Sequence, residues 1–275
     1  MKLTTVRIPY KEGDTIKLYA WGDFHTLSAS CDIDALYAAR KEIEEQENAY
    51  HIFMGDGAEC ITPSDKRWSA KGLDWDIVSP SDIDRIPSLT VEYLGAFFKP
   101  IADKCIGFHR GNHEETADRS YNRELCVEVM KEAGISPDLY APAGAFTKLV
   151  FDDGNKHTMS IDINSAHGRQ AGELDGGKLN RMKRALSHLR CDILLRGHSH
   201  SLFAVPVESL STNSTNTRMV PHRGYVSHTG SFLRTYEEDT VCYGEVADYP
   251  PTTIGCPVFF ITPSRYGPVH IRALA

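Results

Sequence analysis

No stretch of this 275-residue chain is apolar for long enough to cross a bilayer. The first residues, Met1-Lys2-Leu3-Thr4-Thr5-Val6-Arg7, lack the apolar core of a signal peptide. The expected location is therefore the cytoplasm, with no membrane partner. Excess positive charge is also missing: 30 Lys and Arg face 37 Asp and Glu, a net charge of -7. A general nucleic-acid binder is usually basic, so that class is disfavoured, although a local basic groove is compatible with the sum. A cluster of acidic metal ligands would itself push the charge negative. The seven cysteines, Cys31, Cys60, Cys105, Cys126, Cys191, Cys242 and Cys256, contain no CxxC pair, are odd in number and lie scattered. Such usage suits reduced thiols, not a disulfide framework. Internal repeats and domain linkers are absent too. The chain reads as one domain over residues 1–275.

What is present is an alternation of strand and helix patterns. Ile16 to Ala20 has the β-branched and aromatic bias of a strand, and Asp32 to Asn48 has a helical apolar face of Ile33, Leu36, Tyr37 and Ile43. Tyr50 to Met54 is a second short strand, so a parallel pair with a crossover helix is expected. Residues 57–88 are irregular, broken by Pro63, Pro80 and Pro87, and carry Trp68 and Trp75. They read either as a lid beside a site or as a surface excursion whose tryptophans pack on the core. Leu89, Tyr93, Leu94, Phe97 and Phe98 form a helical face, stopped by Pro100. Cys105 to Phe108 is a third strand, and Asp118 to Ala133 a helix capped by Gly134.

The pattern then turns mostly to β. Phe146–Phe151 and 157–163 read as a hairpin around a turn at 152–155, and Leu179, Met182, Leu186 and Leu189 as an amphipathic helix. Further strands are expected at 191–196, 202–207, 224–228, 257–262 and 269–272, with the polar tract 211–217 as a loop. Mixed β/α followed by β suggests two sheets packed face to face with outer helices.

Five stretches place His, Asp or Asn just after an expected strand. They are Asp23-Phe24-His25, Gly55-Asp56, Gly111-Asn112-His113-Glu114, His167-Gly168 and Gly197-His198-Ser199-His200. Ligands in open α/β sheets bind where strands end and loops begin. Asp23, His25, Asp56, Asn112, His167, His198 and His200 together offer two carboxylates, four imidazoles and one amide oxygen. That set suits Mn, Fe, Zn, Ni or Co better than Ca or Cu(I), and it has no thiolate. Seven donors are too many for one tetrahedral ion. Shared between two ions with Asp56 bridging, they leave room for water and substrate. Paired ions about 3.5–4 Å apart clamp both oxygens of an in-line phosphoryl displacement.

Taken in order, these five stretches resemble the calcineurin-like metallophosphoesterase family, whose pattern is D-x-H, GD, GNH[DE], a later H and GHxH. The resemblance implies an α/β fold, a four-layer α/β/β/α sandwich of two mixed sheets, and a dinuclear metal centre. It puts Asp23, His25, Asp56 and His200 on one divalent ion and Asp56, Asn112, His167 and His198 on the other, with manganese as the first choice. Gly230-Ser231 looks like the family's late Gly-Ser turn near the site. A hydroxide bridging both metals would attack phosphorus. His113 would stand near the phosphate as general acid or phosphate stabiliser, and Asn112, His113 and His228 would contact substrate.

The implied activity is a phosphoester hydrolase, for phosphodiesters before phosphomonoesters. Gly55-Asp56-Gly57-Ala58-Glu59-Cys60 lacks the Asp-Arg-Gly of the protein phosphatase branch, and the compact length is closer to bacterial and phage-type members. Trp68 and Trp75 offer stacking for a nucleobase, so a nucleotide or nucleic-acid substrate stays open. A replication or repair nuclease is the alternative and requires a basic groove. A non-catalytic scaffold would have lost ligands, and none is missing. Other residues have plainer readings. His51, His109, His157, His188, His222 and His270 are read as ordinary histidines, and Asp32 and Asp34 as helix N-terminal charges. Glu114 and Glu115 either orient a neighbour or are solvated charges at a helix start, the second being the preferred reading. Arg110 and Arg196 are read as phosphate contacts or structural salt bridges. The oligomeric state is not legible.

Overall fold

The computed structural model describes the chain except residues 64, 66, 67, 155–157, 170, 171, 173, 239–241, 247 and 266. His157 and the end of the expected 152–155 turn thus lie outside the described residues. The first half contains β1 (Lys2–Pro9), β2 (Ile16–Trp21), α1 (Ile33–Glu45), β3 (Ala49–Phe53), α2 (Ile86–Phe98), β4 (Cys105–His109), α3 (Asn112–Tyr121) and α4 (Leu125–Ala133). After it come β5 (Tyr140–Ala141), β6 (Ala145–Asp152), β7 (Thr158–Ala166), α5 (Asp175–Ala185) and β8 (Ile193–Arg196). The chain closes with β9 (Leu202–Thr212), β10 (Met219–Thr229), α6 (Tyr243–Val246), β11 (Val258–Thr262) and β12 (His270–Leu274).

Side-chain alternation decides the layers. In β2, Ile16, Leu18 and Ala20 join one core cluster while Tyr19 and Trp21 join another. In β3, Ile52 and Phe53 divide the same way. A strand buried on both faces belongs inside a sheet covered on both sides. The sheet that holds them has the order β12-β11-β2-β3-β4-β5, with β2, β3, β4 and β5 parallel. Its outer face packs Trp21, Phe53 and Phe108 against Leu36 of α1 and Leu94, Phe97 and Phe98 of α2. The second sheet has the order β1-β6-β7-β8-β10-β9, with β7, β8 and β10 parallel. Ile163, Ile193, Leu195 and Tyr225 meet Leu18, Ile52 and Phe259 between the sheets, and Leu194 and Val226 pack outward on Met182 of α5. The layers are therefore helix, sheet, sheet, helix, with two mixed six-stranded sheets among the described residues. Among the described residues, no helix is long and apolar enough to cross a membrane.

Four expectations need correction. The helix expected over 118–133 is two helices. Asn122 takes a left-handed conformation (φ 50°), and Asp118 Oδ1 accepts the Leu125 N–H at 2.8 Å, restarting the chain as α4. Tyr121 is consequently exposed while Leu125 and Val129 are buried. The tract 211–217 is not simply a loop: Ser211 and Thr212 pair with Val220 and Met219, and Asn213 Oδ1 accepts from Thr217 N (2.8 Å) and Arg218 N (3.2 Å) to turn the hairpin. α5 ends at Ala185, so Leu186 and Leu189 pack on the small outer core from beyond the helix. Finally, residues 57–88 contain short 3-10 turns at Ala70–Gly72 and Pro80–Arg85, and their last three residues open α2.

Candidate metal centre

The C-terminal ends of β2, β3 and β4 in one sheet and of β7, β8 and β10 in the other carry the five motifs and the Gly230-Ser231 turn. Five candidate ligands leave their strands in the left-handed region: Asp23 (φ 51°), His25 (50°), Asp56 (53°), His198 (70°) and His200 (55°). Non-glycine residues there cost energy and persist where surrounding contacts over-determine them, a pattern concentrated at functional sites.

The side chains converge in two groups. Asp23, His25 and His200 place one donor atom each within 4.8 Å of one another, and so do Asp56, His167 and His198. His25 Nε2 lies 3.1 Å from His200 Nε2, which is 3.5 Å from Asp23 Oδ1. His167 Nε2 lies 3.1 Å from both Asp56 Oδ2 and Asn112 Oδ1. Donors sharing one ion at about 2.1 Å stand about 3.0–3.4 Å apart for octahedral or tetrahedral angles. The observed spacings match that edge length. The donor chemistry and geometry both fit a divalent transition metal in each group.

Hydrogen bonds fix which ring nitrogen faces the centre. The His25 Nδ1–H donates to Glu59 Oε2 at 2.8 Å, and the His167 Nδ1–H donates to Met54 O at 2.8 Å. Each ring, once neutral, presents its Nε2 lone pair to its group, the arrangement that orients metal-binding imidazoles. His113 N donates to Asp56 Oδ1 (2.9 Å), and His198 N donates to both oxygens of Asp23 at 3.1 Å. Ser231 Oγ donates to Asp23 O at 2.7 Å, so the Gly230-Ser231 turn props the Asp23 loop from below. Two motif glycines are sterically required. A Cβ on Gly111 would sit 2.0 Å from Asp56 Oδ1, and one on Gly55, whose φ is +98°, would sit 2.5 Å from Gly111 N.

Glu114 orients its neighbours, against the preferred reading of a solvated charge. It is 2% exposed, and its carboxylate accepts from the backbone N–H groups of Asp56 (3.0 Å), Gly57 (2.7 Å) and Gly111 (2.9 Å). It ties the loop after β3 to the loop after β4. Glu115 is not merely solvated either; it binds arginines Arg110, Arg119 and Arg169.

The electrostatics are those of a site short of positive charge. Burial pushes the Asp23 carboxyl up to about 7, and the nearby Asp56 adds to the rise. Burial also opposes charge on Asp56, but His167 and His113 hold its carboxyl well below the usual range. Burial disfavours the charged rings, yet Glu59 lifts His25 to about 9 and Asp56 lifts His167 to about 10. His200 is pushed down by burial and by His25, and His198 by burial and by His167. The neighbouring carboxylates thus favour a proton on His25 and on His167. A bound cation would displace these protons, since imidazole ligates when neutral.

Glu59 was missed as a functional residue. Its backbone carbonyl accepts from the Nδ1–H of His113 at 2.6 Å, and with His25 and His113 it forms a third close group of potential donors. Its loop has no periodic pattern, so only its place three residues after Asp56 could have signalled it. His228 is wholly buried, with Nδ1 2.8 Å from Ser199 Oγ, and it props the His198–His200 loop from behind instead of lining an open surface. His51 is a satisfied core histidine, between Trp21 Nε1 (3.2 Å) and Ile101 O (3.1 Å), and His109 bonds Ser165 Oγ at 2.8 Å. Asp32 caps α1 through Ala35 N and pairs with Arg234 at 3.0 Å. Arg110 pairs with Asp118 (3.4 Å), while Arg196 binds Asn164 Oδ1 (2.8 Å). Trp68 packs against the outer core, and Trp75 is 47% exposed with its indole N–H on Ala70 O.

No protein-family model and no curated protein matches the sequence. Solved structures do match at low similarity. Wild-type Vps29 of Entamoeba histolytica complexed with Zn2+ is 14% identical over 94% of this chain and 98% of that one, with a TM-score of 0.36. Vacuolar Protein Sorting 29 of Cryptosporidium parvum is 14% identical over 95% and 98%, with a TM-score of 0.38. A conserved uncharacterized protein of Streptococcus pneumoniae TIGR4, described as a predicted phosphoesterase, is 12% identical over 95% and 99%, with a TM-score of 0.34.

Proposed function

We propose that the chain is a metal-dependent phosphoesterase, hydrolysing phosphodiester or phosphomonoester bonds at two divalent ions held between the sheets. Asp23, His25, Asp56 and His200 would hold one ion, and Asp56, Asn112, His167 and His198 the other. Manganese is the first choice, with Fe, Zn, Ni and Co compatible with the same donors. The observation that carries the reading is the pair of close donor groups, Asp23, His25 and His200 in one and Asp56, His167 and His198 in the other, with Asn112 Oδ1 on His167 and the His113 N–H on Asp56.

The bound ions would lower the pKa of water toward about 7 and neutralise charge on the phosphoryl oxygens. The chain's own residues do the rest. His113 is anchored through Nδ1–H to Glu59 O. That leaves Nε2 to carry a proton to the departing alkoxide, which otherwise leaves as a strong base. The Glu59 carboxylate holds His25 in its ligating tautomer, and Glu114 keeps the Asp56 and Gly111 loops in register. Asn112 would orient substrate as well as ligate.

The test is a metal-by-substrate panel on chelated, reconstituted protein, with bis(p-nitrophenyl) phosphate and p-nitrophenyl phosphate as reporters. Turnover with at least one of the five metals, lost on chelation and in Asp56→Asn, is expected. A fully metal-loaded protein that hydrolyses no phosphoester would overturn the reading.

A further inference from the structure

We propose that the surface beside Asn112 and His167 is a subsite for a second phosphate of the substrate, read by Arg119 and Arg169. The inference rests on the phosphoesterase reading and names the class of substrate: an ester that carries another phosphate next to the one cleaved.

The Glu115 carboxylate is shared by exposed arginines on two elements. Oε1 accepts from Arg119 NH2 at 2.6 Å, and Oε2 accepts from Arg169 NH2. Arg110 is a third neighbour at 3.8 Å, but it is turned toward the buried Asp118. Asp118 matches Arg110, so among the described residues one carboxylate is left for two guanidinium groups, 74% and 70% exposed, against 17% for Glu115. A guanidinium has five N–H donors in a fork that fits phosphate oxygens bidentately. Each of these two uses only NH2 on Glu115 among the described contacts, so most of each fork is available to a ligand. Exposed ion pairs of this kind add little to stability, which leaves the pair without a structural purpose of matching size.

The placement links the pair to the metal centre. Asn112 opens α3, and its Oδ1 meets His167 Nε2 at 3.1 Å. Glu115 lies three residues along α3, about 4.5 Å of rise, and Arg169 lies two residues past His167. The Arg169–Glu115 bond therefore crosses between the same two elements, one step outward from the ligands. On a chain of net charge -7, the local excess of arginine among the described residues of this rim draws anions to it.

Two substrate pairs test it, each followed by release of p-nitrophenol from the same diester bond, with the second phosphate present or absent. They are p-nitrophenyl propyl phosphate against its 3-phosphopropyl analogue, and thymidine 5'-(p-nitrophenyl phosphate) against its 3'-phosphorylated form. The expected preference for the doubly phosphorylated member is about five- to tenfold in kcat/KM, carried by KM, the yield of one or two exposed ion pairs. It should fall as salt rises and approach one in Arg119→Gln/Arg169→Gln. Arg223→Gln, a distant exposed arginine, should leave the ratio unchanged. A preference in both pairs means that phosphate alone is read, and one confined to the thymidine pair points to nucleic acid. Equal rates on both members, or a preference that survives the double variant, overturns the subsite while bis(p-nitrophenyl) phosphate turnover keeps the phosphoesterase reading. No turnover of any ester removes both.

Discussion

Replacing Glu114 should damage the site from below without touching a donor atom. In Glu114→Ala, three backbone N–H groups, those of Asp56, Gly57 and Gly111, lose their acceptor in a region sealed from water. An unsatisfied buried donor costs about 1–3 kcal/mol. Even with partial relaxation, the loss should reach about 4 kcal/mol, a large share of the roughly 5–15 kcal/mol that stabilises a typical domain. For 275 residues the unfolding entropy is about 0.6 kcal/mol/K, so that loss lowers Tm by about 7 °C. Glu114→Gln is the sharper variant. Its one oxygen can keep Asp56 and Gly111, which share Oε2, but its amide then faces the Gly57 N–H, donor against donor. A loss of about 2 kcal/mol is expected, near 3 °C. Urea titration of metal-free protein, with circular dichroism as the readout, gives both numbers. Metal affinity should fall in parallel, because Asp56 no longer has a fixed loop. A Glu114→Gln protein as stable as the wild type, with unchanged metal binding, would refute the assigned role.

Other perturbations separate the remaining roles. His113→Asn should keep its metal content while turnover falls about 10²- to 10⁴-fold, the usual yield of a general acid; metal analysis beside steady-state kinetics checks both. Glu59→Gln should weaken metal binding about ten- to hundredfold, as loss of a ring-orienting carboxylate does, measured by competition with a chromophoric chelator. Gly111→Ala puts a methyl into the Asp56 carboxylate and should abolish metal uptake by calorimetry while far-UV circular dichroism is retained. His51 gives a pH test. Burial pulls its pKa down to about 4, since protonation would set its Nδ1–H against the Trp21 indole N–H. The unfolded chain binds that proton first, from about pH 6.5 downward, so stability falls as pH drops from 6.5 toward 4. Between pH 7 and 5 this residue should account for about 2 kcal/mol. His51→Gln should flatten the urea-midpoint profile by that amount, and an unaltered profile would contradict the neutral assignment.

The candidate ligands were legible because they share a local signature: each stands within a few residues of a strand whose apolar run is itself legible. His167 and His198 need no long-range knowledge to be singled out, only a strand before them. Glu114 was misread because an acid at a helix start normally faces water and the helix dipole. Its burial depends on the β3 loop, which the sequence does not bring near it. Glu59 is hidden for the same reason, in a loop with no period. The break at Asn122 carries no proline or glycine, and its left-handed turn is set by Asp118 reaching Leu125. β1 is an edge strand whose burial alternates between exposed and half-covered, too weak a pattern for a buried run.

The central claim is that seven side chains from five loops close around two cations. Anomalous diffraction at the manganese edge from crystals grown with Mn2+ tests it directly. Two peaks about 3.5–4 Å apart are expected, one among Asp23, His25, Asp56 and His200, the other among Asp56, Asn112, His167 and His198. Absence of both peaks, with those imidazoles and carboxylates turned away from one another, would contradict the account.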